Sequence, residues 1–512
     1  VVTLALLVGL CVAVYRYVTK NYFYFADKPI PFMKPSFPFG NAGPILMKKV
    51  TLFEHFKNLY DAFPNARIHG TFNMRQPVYI VRDPELVKQI TVKDFDYFVD
   101  HMTTGMEQTE DNNSNHLLLG NSLVSLRGQK WRDMRATLSP AFTGSKMRLM
   151  FALIADCGKS MVEHFREEDK KARAAGGTGY QLEMKDVMTR FANDVIGTAA
   201  FGIKVDSFRD PTNVFISMAR SVTNQESLVK VLKMIGYTFA PKLMTRLNID
   251  FLTPEEDQFF RNTILETMRT RQEKGIFRPD MIELLMQAKK GKNMVKLSES
   301  EMVAQCLIFF LAGFDTIATL MSFIVYEITL APEIQQRLYE EIQQVSESLG
   351  GGSLTYDALQ GMRYLDMVVS ETLRKWPPAP STDRLCNQDF RITDERDNVE
   401  IIIPKGVTVN IPIAGLHHDP RFYPDPDRFD PERFNDENKH KMPLGAYLPF
   451  GIGPRNCIAS RFALMEVKAI VYHLLLHYEF KRTDRTPVPV QLAKGFTPLR
   501  SEKGIYLQLS PR

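Results

Sequence analysis

Phe450-Gly451-Ile452-Gly453-Pro454-Arg455-Asn456-Cys457-Ile458-Ala459 is the stretch on which the reading of this 512-residue chain turns. It leads into a long apolar segment, residues 460–480, that reads as a helix, so its cysteine sits where a helix begins. Free backbone amides and the positive end of a helix dipole favour a thiolate over a thiol, and a thiolate ligates soft metals. Gly451 and Gly453 lack a Cβ, so the backbone can turn tightly and lie flat against something planar. Arg455, two residues before the cysteine, is placed to pair with an acid. A lone cysteine is more often a small buried hydrophobe than a ligand. The spacing Phe-x-x-Gly-x-Arg-x-Cys lifts Cys457 above that reading.

Working outward, Ser298-Glu299-Ser300-Glu301 reads as a capping box, after which an apolar helix runs to Ala331 and Pro332 opens another. Inside it lies Ala312-Gly313-Phe314-Asp315-Thr316. A glycine, an acid and a hydroxyl amid an apolar helix are each costly, and their clustering points to function. The competing reading is a glycine at a helix crossing with Thr316 bonding back to a carbonyl. Glu371 and Arg374 share a helical face, as do Trp131 and Arg135. Taken alone, both pairs are ordinary surface helix features.

Together with Pro431-Glu432-Arg433-Phe434, these motifs stand in the order found in the cytochrome P-450 family, and the chain resembles that family over essentially everything after its proline-rich segment. One departure is Ala459, where the family most often has glycine; another is Ile317, often a hydroxyl residue in the family. By overall sequence the chain looks like a microsomal (class II) insect member of the ninth family. The resemblance implies a mainly α fold with a smaller β-rich part, and haem b with an axial thiolate from Cys457, which is also the metal ligand. It implies cofactor contacts from Trp131, Arg135, Ala312, Arg384, Phe450, Gly451, Arg455, Cys457 and Ala459, with Trp131, Arg135, Arg384 and Arg455 on the propionates. Thr316 and Asp315 are the implied catalytic pair, delivering protons from a helix deformed over the haem. Glu371, Arg374 and Arg433 are implied to interlock structurally. Phe309, Phe310, Phe314, Thr382, Phe496 and Thr497 are further candidates for pocket lining, and residues 101–121 for a loop capping the pocket.

The implied activity is a haem-thiolate monooxygenase. It would use dioxygen and two electrons from NADPH, through NADPH-cytochrome P-450 reductase with cytochrome b5 as a second donor. Its substrates would be small and hydrophobic, extending to xenobiotics such as insecticides or plant toxins. The alternative is a non-catalytic haem protein that binds or senses hydrophobic ligands; an intact Asp315-Thr316 pair argues against it.

Composition is that of a globular protein with a sizeable core: 44% hydrophobic and 24% charged, with a net charge of +5 too mild to argue for nucleic acid. The five cysteines show no Cys-x-x-Cys spacing, so neither a disulfide framework nor a zinc site is indicated. Residues 1–15 are almost wholly apolar and are followed by Arg16, Lys20 and the aromatics Tyr22, Phe23, Tyr24 and Phe25. Fifteen helical residues reach only about 22 Å, but positive charge after the apolar run and the lack of a small-x-small cleavage site favour an uncleaved anchor over a signal peptide. The expectation is an anchor at 1–20 in the endoplasmic reticulum membrane with its aromatics at the interface, a hinge at 21–44, and a catalytic domain at 45–512 facing the cytoplasm. Residues 234–252 are expected to rest on the membrane surface or in the core. Two strands are expected at 67–74 and 77–81, and a hairpin of 399–403 with 407–413. Arg127, Lys130 and Arg132 are expected to be free to face a redox partner.

Overall fold

The structure, a computed structural model, describes residues 1–102, 118–176, 179–203, 205–223, 227–247, 249–278, 280–290, 297–394 and 399–512. The capping box forms as the sequence predicts. Ser298 accepts from the Glu301 amide at 3.2 Å while Glu301 Oε2 accepts from the Ser298 amide at 2.8 Å, opening the helix Glu299–Leu330. Apolar on all sides, this central helix is buried by Met184–Ala199, Pro254–Lys274, Arg363–Lys375 and Ser460–His477. Two helices among the described residues are long and apolar enough to cross a membrane. In the central one 61% of the apolar window is buried; in Val2–Thr19 only 6% is. The first belongs to the core, and the second fits a membrane anchor.

Among the described residues the β part holds three sheets. β1 (Ile68–Asn73) and β2 (Gln76–Val81) form the expected hairpin, with Met74 at φ +55° in the turn. β3 (Tyr180–Glu183) pairs with β9 (Tyr506–Pro511), which also pairs with β8 (Tyr478–Arg482). The expected hairpin of 399–403 with 407–413 does not form. β6 (Val399–Ile403) folds back on β5 (Phe390–Asp394), and β7 (Thr408–Ile411) runs between β2 and β4 (Thr382–Leu385), parallel to β2 and antiparallel to β4. The reason lies in burial. Val409 and Ile411 are fully buried and need a sheet on both sides, whereas Ile402 of β6 is exposed. The backbone of 406–407 is engaged by Cys386, which takes the Gly406 amide at 2.7 Å and donates to Val407 at 2.9 Å.

Around this sheet sits a second core that includes Phe25, Phe72, Tyr79 and Phe98. Phe25 is fully buried over Gly70, where a Cβ would lie 2.7 Å from its ring. Phe25 therefore does not sit at a membrane interface as expected; it is a core residue, because Gly70 opens a ring-sized recess. Tyr22 is tied to the body too, accepting from the Gly40 amide at 3.2 Å and donating to Ser36 at 3.3 Å. Phe23, by contrast, is 80% exposed. In the region of 234–252, Leu243 and Leu247 are exposed, as are Leu228, Val229 and Leu232 just before it, while Tyr237 is buried. The expected capping loop falls mostly on 103–117, outside the described residues.

Candidate functional site

The cysteine loop is held by its own backbone. The Cys457 amide donates to Phe450 at 2.8 Å, Asn456 to Gly453 at 3.0 Å and Gly451 to Leu448 at 3.1 Å. Gly451 and Gly453 adopt φ of +71° and +78°, which disfavours any side chain. They differ in surroundings. A Cβ on Gly453 would lie 1.9 Å from the Thr91 carbonyl, whereas at Gly451 the nearest atom is 3.7 Å away.

Behind the loop, Glu371 and Arg374 are both wholly buried and joined by bonds of 2.7 and 2.8 Å, with Arg433 at 3.5 Å from the same carboxylate. Arg374 also donates to the carbonyls of His417 and Pro426. His417 links this cluster to the loop. Its Nε2 accepts from the Leu448 amide at 2.8 Å, so Nδ1 carries the proton and donates to the Arg374 carbonyl at 3.2 Å. Burial pushes its pKa down to about 3. Nothing local to the five-residue helix Ile413–His417 marks this histidine out in the sequence.

The loop faces a cavity of about 420 Å³. Ala312, Gly313 and Thr316 on one face of the central helix line it, together with Phe309, Thr382, Phe450, Gly451, Arg455, Cys457 and Ala459. Trp131, Arg135 and Arg384 do not line it directly but flank residues that do. Trp131 lies under the Arg455 guanidinium at 4.2 Å. Arg135 grips Asn456, next to Cys457, at 2.8 and 2.9 Å. Arg384 donates to Thr382 Oγ1 at 3.2 Å. Phe310 and Phe314, expected in the pocket, instead stack on each other with centroids 5.5 Å apart in the core; the helical period turns them off the cavity face. Phe496 and Thr497 are likewise outside the lining.

Thr316 and Asp315 face different surroundings. Thr316 Oγ1 lines the cavity and donates to the Ala312 carbonyl at 2.5 Å. Asp315 accepts from Lys185 Nζ at 2.8 Å, and the same ammonium reaches the Asp315 carbonyl and Thr319 Oγ1 at 2.9 and 2.7 Å. Lys185 and Thr319 line a separate polar cleft of about 600 Å³. Every residue of the central helix from Glu299 to Leu330 is α-helical.

Does the cavity suit haem? Arg384 is buried and, among the described residues, has no carboxylate within bonding distance and no partner for its Nε. Burial pulls its pKa down to about 10 and that of Arg455 to about 9. Arg455 uses three N–H groups on the carbonyls of Val99, Leu123 and Leu126, with Asp100 at 3.8 Å. A buried cationic group short of acceptors is suited to an acidic ligand. Burial pushes the Cys457 thiol up, against the expectation that its position near a helix start would favour the thiolate; the Ala459 amide and Arg135 oppose the shift only in part. A coordinated metal ion overcomes such a shift directly. The donor set and the apolar walls fit an iron porphyrin with two carboxylates.

The nearby basic residues are engaged. Arg132 pairs with Asp96 at 2.6 Å and Arg127 donates to the His101 carbonyl at 3.4 Å, so the expectation of free cations fails where acid and carbonyl groups of residues 96–101 lie alongside.

A family model described as Cytochrome P450 matches residues 32–509. The chain is 43% identical to "Cytochrome P450 9e2" of Blattella germanica, over 96% of this chain and 95% of that protein. It is 39% identical to "Cytochrome P450 9c1" of Drosophila melanogaster, over 95% and 94%. Identity to "Cytochrome P450 6k1" of Blattella germanica is 34%, over 98% and 96%.

Proposed function

The chain belongs to the cytochrome P450 family and is a haem monooxygenase, and on that premise we propose that it inserts oxygen into small apolar organic compounds, xenobiotics among them. The observation that carries the reading is one cavity lined by both Cys457 and Thr316 and otherwise mostly by apolar side chains. Electrons would come from NADPH through a flavoprotein reductase sharing the membrane, with cytochrome b5 as an alternative donor. The exposed apolar helix Val2–Thr19 supports placement on the endoplasmic reticulum, with the body in the cytoplasm.

Cys457 would hold the iron; Arg384, Arg455 and Arg135, with Trp131, would hold the propionates; Ala312, Phe450, Gly451 and Ala459 would lie against the ring. Bound haem supplies the redox chemistry, its thiolate ligand pushing electron density toward O–O cleavage. The protein's share is binding, orientation and protons. Leu320, Ile317 and Phe309 keep the chamber apolar, so substrate binds by exclusion from water. Thr316 Oγ1 carries the proton nearest the reacting space; turning from the Ala312 carbonyl lets it donate inward. Asp315, fixed by Lys185 at the polar cleft, stands one residue away on the solvent side, where its carboxylate would take a proton from solvent and pass it on to restore that of Thr316.

The test is product formation from an apolar substrate with reductase. Product should require both NADPH and dioxygen, and Thr316→Ala should keep its haem while more of the NADPH consumed ends as peroxide. Unchanged product per NADPH in Thr316→Ala would remove the proton role.

A further inference from the structure

The cavity extends beyond the residues assigned to haem. On one side it is walled by Met150, Ile196, Ala199, Ala200 and Met281. These come from the helices Gly144–Ala174, Met184–Ala199 with its C-terminal cap, and Met281–Lys290. None of those helices carries a residue of the cofactor set. All five side chains are buried from bulk solvent and apolar, so this wall offers water no hydrogen bonds. A space of that kind stays dry and takes up small apolar solutes.

A second depression, of about 190 Å³, lies against the same wall. Leu138, Ala141, Leu284 and Leu285 line it, and it reaches the surface at Pro140 and Gln287, both exposed. Met281 belongs to both linings. The surface funnel and the reaction cavity therefore meet at this side chain. Methionine is unbranched and has three rotatable bonds, so of the apolar side chains it is the one most easily swung aside without moving backbone. Its displacement opens a gap of thioether width, enough for a diatomic molecule and too narrow for a bulky organic one.

We propose that this is a second entrance to the cavity, gated by Met281 and used by dioxygen, distinct from the opening that admits the organic substrate. The proposal rests on the haem monooxygenase reading, which requires an uncharged diatomic gas to reach a chamber already occupied by substrate. A separate narrow route lets the gas enter without the substrate leaving.

Carbon monoxide, which binds reduced haem iron as dioxygen does, is the probe. Its bimolecular recombination after flash photolysis is measured with the cavity filled by an apolar substrate. Met281→Ala should speed recombination several-fold and Met281→Trp should slow it several-fold, each with a normal thiolate-type carbon monoxide spectrum. If Met281→Trp does not fold, Ala200→Phe narrows the cavity along the same wall and should slow recombination likewise. Association of a phenyl-substituted imidazole with the iron should be unaffected by all three. Unchanged recombination in every folded variant overturns the gate. Parallel changes for carbon monoxide and the imidazole overturn the assignment to dioxygen, making this the organic substrate's route. Xenon pressurisation of crystals should place an atom among Met150, Ala199 and Ala200, and no xenon there counts against the compartment. If the unmodified protein lacks the thiolate-type spectrum, it is the haem reading that fails, while xenon still tests the compartment.

Discussion

Replacing His417 by phenylalanine isolates the connection between the buried Glu371–Arg374 pair and the cysteine loop. The phenyl ring retains the stacking on Tyr447, whose ring lies 5.4 Å away at 24°, and removes only the two hydrogen bonds. The Leu448 amide and the Arg374 carbonyl are then buried without partners. Each such group costs about 1–3 kcal/mol, so the variant should lose about 2–6 kcal/mol. The assay is urea unfolding of the haem-loaded protein, followed at the haem absorption band. The histidine's pKa falls from 6.5 to about 3 on folding, because burial disfavours its charge. Above pH 6.5 it is neutral in both states, and the gap between wild type and variant should be flat. Between pH 6.5 and about 3 the unfolded chain binds a proton that the folded one does not. The wild-type advantage should therefore shrink by about 1.4 kcal/mol per pH unit of acidification. A gap under about 1 kcal/mol at pH 7.5 contradicts the hydrogen-bond accounting. A gap that widens on acidification contradicts the neutral tautomer.

The two loop glycines should separate cleanly when haem content after purification is compared. Gly451→Ala meets only the left-handed backbone penalty of about 1–2 kcal/mol, whereas Gly453→Ala adds a clash 1.9 Å from the Thr91 carbonyl and should lose most of its haem. Arg384→Met removes a buried cation whose Nε has no partner among the described residues. Haem should dissociate about 10- to 100-fold faster, the equivalent of one charged hydrogen bond, while the haem-free protein melts no earlier than wild type in calorimetry. Lys185→Met strips Asp315 of its ammonium and should lower thermal stability and product per NADPH. The dissociation constant of an apolar ligand should not move, because neither residue lines the cavity; a weakened ligand would place the pair inside it.

The sequence made the cysteine loop, the central helix with its cap and the Glu371–Arg374 cluster legible, because each is set by local constraints: a positive φ, a capping box, a charge pair one turn apart. What it left unread depends on partners distant in the chain. β7 was mistaken for a hairpin arm because nothing near Val409 says that β2, some 330 residues earlier, will cover it. His417 matters only through Leu448 and Arg374. The separation of Asp315 from Thr316 was implicit, since neighbours on an α-helix point about 100° apart; which of them would meet the cavity needed the position of Lys185. Arg127 and Arg132 looked free only until the segment 96–101 was placed beside them.

Phe25, seated over Gly70, changes what kind of joint the leader forms. A leader tied to the body only by solvated prolines would act as a leash, leaving the body free to roll over the bilayer. Here Val18 is buried, Tyr17 lies beneath the Arg75 guanidinium at 4.1 Å and Tyr15 meets Phe37 at 5.4 Å, so the end of the helix is bolted on as well. A bolted body has a fixed tilt to the helix Val2–Thr19, so the membrane placement proposed above would aim one face at an electron donor and another at solutes dissolved in lipid. Lengthening the linker ahead of Phe25 would leave that aim intact while both attachments hold, whereas letting the molecule roll would take the loss of both, Phe25→Ala together with Tyr17→Ala.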